Sequence, residues 1–144
     1  MYKNILIPLE NSPTDQTILE HIRSWGKTQG VQLTLIHVAD GFVARNQDRF
    51  NLVDSEEMIR DREYLEKIRA DFVKDGYQVV ALLERGDPTT EILRVSQERH
   101  CDLIAMSTHG HLFWRDFIFG TVATNVRHRT EIPVLLLKAP HSNR

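Results

Sequence analysis

Ser107-Thr108-His109-Gly110 is followed, after nine residues, by Gly120-Thr121, and this pattern could hold a phosphate. Glycine lets the backbone come close to a ligand. The first N–H groups of a helix lack intrahelical partners, and the helix dipole favours an anion at that end. The loop leaves Asp102-Leu103-Ile104-Ala105-Met106, a short apolar run that reads as a buried strand. Other reactive types are less organised. His109, His111 and Asp116 lack metal-ligand spacing on a defined scaffold. Cys101 reads as a packed thiol near a strand start rather than a nucleophile. Phe113, Trp114, Phe117 and Phe119 between the glycines read as core packing or as cover for a neighbouring subunit.

Enzymatic signatures are missing. There is no G-x-x-x-x-G-K-[ST], no G-x-S-x-G, no H-E-x-x-H, and no G-x-G-x-x-G after the first strand. No nucleophile with an aligned base can be nominated, so slow hydrolysis of a bound phosphate compound is the most turnover expected.

Composition narrows the class. The 144 residues are expected to form one domain over residues 1–144, with 138–144 as a short polar tail. With 26% charged residues and a formal net charge of −2, charge does not suggest nucleic acid or an acidic membrane as partner. A single cysteine excludes an internal disulfide and suits a reducing compartment. No secretory leader is read at the N-terminus, and no apolar run approaches the ~18–20 residues needed to span a bilayer. The expectation is a soluble, cytoplasmic protein without membrane insertion.

Strand and helix patterns alternate along the chain. Ile5–Leu9 reads as a strand, and Ser12-Pro13 as the start of a helix capped by Ser12, with Ile18, Ile22 and Trp25 on its inner face. Residues 31–38 form the second strand, and 39–54 read as a long loop suited to a lid or binding segment. Ser55 caps a charged helix whose inner stripe is Met58, Leu65, Ile68 and Phe72. Val79–Leu83 is the third strand, and Asp87 caps a third helix with Pro88 in its first turn. The fourth strand is followed by a helix over 121–129, whose basic end suits the helix dipole. Ile132–Leu137 is the last strand.

This order predicts an α/β fold with a five-stranded parallel, doubly wound, Rossmann-like sheet and helices on both faces. Ligands of such sheets bind beyond the carboxyl ends of the strands, where the strand order reverses. The glycine loop lies at that edge.

The whole chain resembles the universal stress protein family in single-domain form, whose sheet is of the adenine nucleotide alpha hydrolase-like type. Nucleotide-binding members carry glycine, two residues, glycine, nine residues, then glycine and serine or threonine. Here Ser107 replaces the first glycine, while Gly110, Gly120 and Thr121 match. Ile5-Leu6-Ile7-Pro8-Leu9 before an acid, Leu35–Val38, Gly86-Asp87-Pro88, Asp102–Met106 and Ile132–Leu137 also match in order. The resemblance implies ATP or AMP as ligand, with any Mg carried by the phosphates and met by the Thr121 hydroxyl. Pro8, Leu9 and Glu10 would lie beside adenine and ribose, and Val38 would join the base pocket. Met106 and Ser107 would line the sugar, and Gly110, Gly120, Thr121 and Val122 would surround the phosphates, with His109 beside them. Glu10 stands where the family usually has aspartate, and His109 where arginine is frequent.

The functional reading is a regulatory module that binds an adenine nucleotide and acts in stress response or on a partner. The alternatives are a dimeric interaction protein that binds no nucleotide, or a soluble sensor for a transporter. An apolar last strand at a sheet edge needs cover. The resemblance implies a homodimer in which Val134, Leu135, Leu136 and Leu137 pair with the same strand of a second subunit.

Overall fold

The computed structural model describes residues 1–26, 30–40, 56–109 and 117–140. Five strands, β1 (Asn4–Pro8), β2 (Gln32–Asp40), β3 (Gln78–Gly86), β4 (Leu103–Thr108) and β5 (Val134–Lys138), form one sheet in the order β3-β2-β1-β4-β5. Every neighbouring pair is parallel, with Ile5 opposite both Leu33 and Leu103, and Ile104 opposite Val134. Helices α1 (Asp15–Ser24), α2 (Glu56–Lys74), α3 (Pro88–Glu98) and α4 (Phe117–Arg129) provide the crossovers.

Strand alternation divides the core into two layers. Ile5, Ile7, Leu33, Leu35, Leu103 and Ala105 face α1 and α2, where Ile18, Leu19, Ile22, Leu65, Ile68 and Phe72 meet them. On the other face Leu6, Ile36, Ile104 and Met106 pack with Ile92, Val95, Val122, Ala123 and Val126. The central strand is apolar toward both layers because helices cover both, as a parallel sheet requires. The chain builds outward from β1 through β2 to β3, then crosses back to β4 and β5. The strand order therefore reverses between β1 and β4.

Several local expectations are corrected. Ser12 is not the N-cap position of α1: the helix begins at Asp15 after Thr14, and the Ser12 hydroxyl accepts from the Thr14 N–H at 3.3 Å in the turn ahead of it. Pro13 instead sits in tight turns, with the Asp15 N–H donating to the Ser12 carbonyl at 3.1 Å and the Gln16 N–H to the Pro13 carbonyl at 3.2 Å. Trp25 follows α1 and is 41% exposed, while the inner face is completed by Asp15 and Leu19. α4 begins at Phe117, so Gly120 lies in its first turn rather than ahead of it. Glycine in a helix costs about 1 kcal/mol relative to alanine, too little to fix a boundary. β2 and β3 are longer than expected because they pair along their whole length, Asp40 opposite Gly86. Ala39 and Asp40 thus belong to β2, whereas the rest of the expected long loop and the Ser55 cap lie outside the described residues. Lys138, read as the first tail residue, closes β5.

The α3 cap agrees with expectation. The Asp87 carboxylate accepts from the Thr90 N–H at 2.9 Å and from its hydroxyl at 2.8 Å, with Pro88 opening the helix. These donors hold the Asp87 carboxyl below its ordinary value. A depressed folded-state pKa contributes stability above the unfolded pKa that fades as pH falls through the folded one. Asp87→Ala is expected to cost about 1 kcal/mol in urea unfolding at neutral pH. The difference from wild type should close in acid.

Candidate functional site

The site is built where the strand order reverses, from the loops after β1 and β4. At the end of β1, the Leu9 N–H donates to the Ile36 carbonyl at 2.8 Å, so the chain stays beside β2 for one residue beyond the strand. It then turns through Asn11, whose φ of 62° lies in the left-handed region that asparagine tolerates better than most residues.

That turn aims three successive N–H groups at one carboxylate. Glu10, Asn11 and Ser12 donate to Asp15 at 3.1, 3.0 and 3.3 Å, and the Tyr64 hydroxyl of α2 adds a fourth donor at 2.6 Å. Asp15 is 1% exposed. Burial raises its carboxyl above the ordinary value, although all four hydrogen bonds oppose the rise. The same burial and the adjoining Asp15 charge hold the Tyr64 phenol well above its usual range.

A second polar chain ties the loop to β2 and α2. The His37 Nδ1–H donates to the Leu9 carbonyl at 2.8 Å, and its Nε2 lies 3.2 Å from the Asp61 carboxylate. The Asn11 amide donates to the other Asp61 oxygen at 2.8 Å. Asp61 and Tyr64, one helical turn apart, therefore hold both ends of the turn.

The loop after β4 meets this turn through His109. Its Nε2 lies 2.6 Å from Glu10 Oε1, and its Nδ1 is 3.1 Å from Thr14 Oγ1. The Ser12 hydroxyl donates to the same Glu10 oxygen at 2.5 Å. Glu10 and His109 side chains are only 15% and 16% exposed. Burial raises the Glu10 carboxyl, with the Ser12 hydrogen bond and His109 pulling the other way. The longer side chain of glutamate is what spans the gap between the two loops.

The remaining candidates fall around this pair. Pro8 and Leu9 are buried beside it, and Val38 is half-buried on the α3/α4 side of the sheet. Met106 is fully buried in that layer. Ser107 is 1% exposed, and its hydroxyl accepts from the Ile18 N–H of α1 at 3.0 Å. A serine at the first glycine position is thus engaged with the start of α1. Thr121 is exposed and Val122 buried on α4, with Gly120 in the turn before them. Gly110 lies outside the described residues. Cys101 is buried as expected, and burial pushes its thiol up to about 11.

Asp15, Asn11, His37, Asp61 and Tyr64 were not found from the sequence. A signal existed for two of them. Met58, Asp61, Leu65, Ile68 and Phe72 are the buried residues of α2, spaced three and four apart, so a charge stands within the apolar stripe. Asp15 stands likewise one turn before Ile18.

Comparison with known proteins bears on this geometry. The Universal stress protein family profile matches residues 1–138. Universal stress protein MJ0577 of Methanocaldococcus jannaschii is 25% identical over 159 aligned positions, covering 99% of this chain and 98% of that protein. The solved MJ0577 structure superposes with a TM-score of 0.84 at 26% identity over 99% of both chains. The fold also matches a universal stress protein from Archaeoglobus fulgidus in complex with dAMP, at a TM-score of 0.69, 19% identity, and 95% and 98% coverage. A universal stress protein in complex with cAMP matches at a TM-score of 0.67, 14% identity, and 95% and 97% coverage.

Removing the Asp15 carboxylate should loosen the whole loop. Asp15→Ala leaves four donors without their acceptor and is expected to cost about 2–4 kcal/mol in urea unfolding. Asp15→Asn, which retains one acceptor oxygen, should cost less. A folded-state pKa raised by burial favours the protonated carboxyl, so that contribution is complete below the unfolded pKa and lost as pH rises through the folded one. Wild type should therefore gain on Asp15→Asn between about pH 7 and about pH 4. Equal pH slopes would show that the carboxyl titrates alike in both states.

Proposed function

We propose that this chain, which belongs to the universal stress protein family, is a regulatory module that binds an adenine nucleotide, ATP or AMP, beyond the carboxyl ends of β1 and β4. The observation that carries the reading is the Glu10–His109 pair, which joins the two loops at the point where the strand order reverses. The dAMP and cAMP complexes of two proteins sharing the fold support the ligand class.

In this reading Pro8, Leu9 and Val38 face the base, and Met106 and Ser107 flank the sugar. Gly110, Gly120, Thr121 and Val122 surround the phosphates at the start of α4. The Thr121 hydroxyl serves a phosphate oxygen or a phosphate-borne Mg. His109 changes partner from Glu10 to phosphate, and Glu10 turns to the nucleoside. The ligand shifts the two loop states only by its difference in affinity for them. A protein partner in a stress response reads the outcome.

Denaturing the purified protein and identifying released nucleotide by liquid chromatography and mass spectrometry tests this directly, paired with calorimetric titration of ATP and AMP. One adenine nucleotide per chain, or micromolar binding, is expected. Gly120→Val should weaken binding by more than about tenfold, or 1.4 kcal/mol, with the fold retained by circular dichroism. Unchanged affinity would assign the glycine to the helix alone.

A second reading has its own observation. The N–H groups after β1 are already satisfied by Asp15, and Glu10 is already satisfied by Ser12 and His109. A module closed in this way would act as a dimeric interaction protein, or as a soluble sensor for a transporter. A blank in both nucleotide measurements selects it.

Both readings include a homodimer. β5 lies at the sheet edge, with Leu135 and Leu137 packed toward one layer and Val134 and Leu136 toward the other. Its apolar side chains are thus half-buried against this chain's own layers, while its outer backbone row remains available for antiparallel pairing with a second β5. Light scattering at micromolar concentration is expected to give the mass of two chains. A monomer would overturn the pairing.

A further inference from the structure

At the amino end of β1, the end away from Glu10, the fold forms an apolar cavity of about 290 Å³ that is open to solvent on the side of Met1, Tyr2 and Trp25. At ~3.3 Å per strand residue, Ile5 in its lining and Glu10 are about 16 Å apart. Its deep side is core: Ile5 of β1, Ile22 of α1 and Leu33 of β2 are each at most 1% exposed. Three aromatic residues, Tyr2, Trp25 and Tyr77, complete the wall.

Two of these rings are already fixed. Trp25 stands edge-on to His21 at 5.4 Å and 75°, and Tyr77 edge-on to Phe72 at 5.2 Å and 81°. Walls held by their own neighbours need little ordering when a ligand arrives. Among the described lining residues the one formal charge is the α-ammonium of Met1, which is 91% exposed; the deep wall of Ile5, Ile22 and Leu33 has none, so a charge placed against it would lose its hydration without a partner. The Tyr2 and Tyr77 hydroxyls and the Trp25 indole N–H have no hydrogen-bond partner among the described residues. They can serve one polar substituent without a charge.

Size and chemistry then select the occupant. An apolar cavity of about 150 Å³ stays dry and takes up benzene. Twice that volume accepts two fused rings, and aromatic walls favour a ring over a chain through stacked and edge-to-face contacts. We propose that this cavity is a second ligand site, specific for a small, neutral, bicyclic aromatic molecule of the indole or naphthol class. The site is independent of nucleotide binding at the other end of the sheet.

Titration of the full chain with 2-naphthol, followed by methyl NMR, tests the proposal. The methyl signals of Ile5, Ile22, Val31 and Leu33 should shift saturably, and those of Leu9 and Val122 at the carboxyl edge should not. Decanoate should bind at least about tenfold more weakly than 2-naphthol. Val31→Phe, which fills the cavity, should weaken 2-naphthol by at least about tenfold. Should that variant fail to fold, Trp25→Ala removes an exposed wall residue and should weaken binding severalfold.

Absence of shifts up to millimolar 2-naphthol, or shifts scattered over the molecule, would overturn the site. Tighter binding of decanoate would overturn the ring class. Unchanged affinity in the folded variants would place the ligand elsewhere. A dimer that Val31→Phe dissociates, with no uptake of 2-naphthol, would show that a second copy of the chain covers the cavity.

Discussion

A carboxylate that is 1% exposed persists only where donors surround it, and Asp15 gathers three consecutive backbone N–H groups and a phenol. That requirement fixes the path of the chain after β1. The turn must place Asn11 at positive φ, and once it does, the Asn11 amide reaches Asp61. α1 can then begin immediately, with its acidic first residue turned back onto the loop instead of forward to solvent. The loop is braced by its own backbone donors, which bond the helix that follows it.

The rest of the carboxyl edge is arranged around that decision. α2 contributes Asp61 and Tyr64 to hold the turn from one face, and β4 contributes the Ser107 hydroxyl to the start of α1. His109 and Glu10 then close the space between the β1 and β4 loops. Each connection satisfies a polar group that burial would otherwise leave unmatched, at a cost of about 1–3 kcal/mol apiece. The strand order reverses between β1 and β4, and these polar groups join the loops that meet there.

The layered fold was legible because apolar runs bounded by glycine and proline mark parallel strands whatever their partners. The Gly86-Asp87-Pro88 turn and its cap could be read from three residues, since proline at a helix start and an aspartate before it act locally. The start of α1 could not. Ser12-Pro13 carries a helix-start signature, yet the buried Asp15 captures the N–H groups around it, and that depends on Tyr64, 49 residues away. The glycine loop was read at the carboxyl edge of the sheet through topology alone, and its described residues Ser107 to His109 follow that edge. Ser107 and Glu10 read as departures from a family pattern; the structure shows the physical use of each, one anchoring α1 and the other bridging to His109. Asp61 went unread because a charge within an apolar stripe looks like a break in the stripe until its partners, His37 and Asn11, are in place.

The Glu10–His109 pair also sets terms for any anion that enters between the loops. Breaking a largely buried pair by removing one partner leaves the other charge uncompensated, which is far costlier than exchanging partners. A phosphate would take over His109 as its new partner. Glu10 would then face the ligand without its histidine, in surroundings whose burial already raises its carboxyl above the ordinary value. The additional methylene of glutamate therefore has two consequences. It reaches the histidine that joins the two loops, and it leaves a largely buried acid in the path of any anion that would displace that histidine.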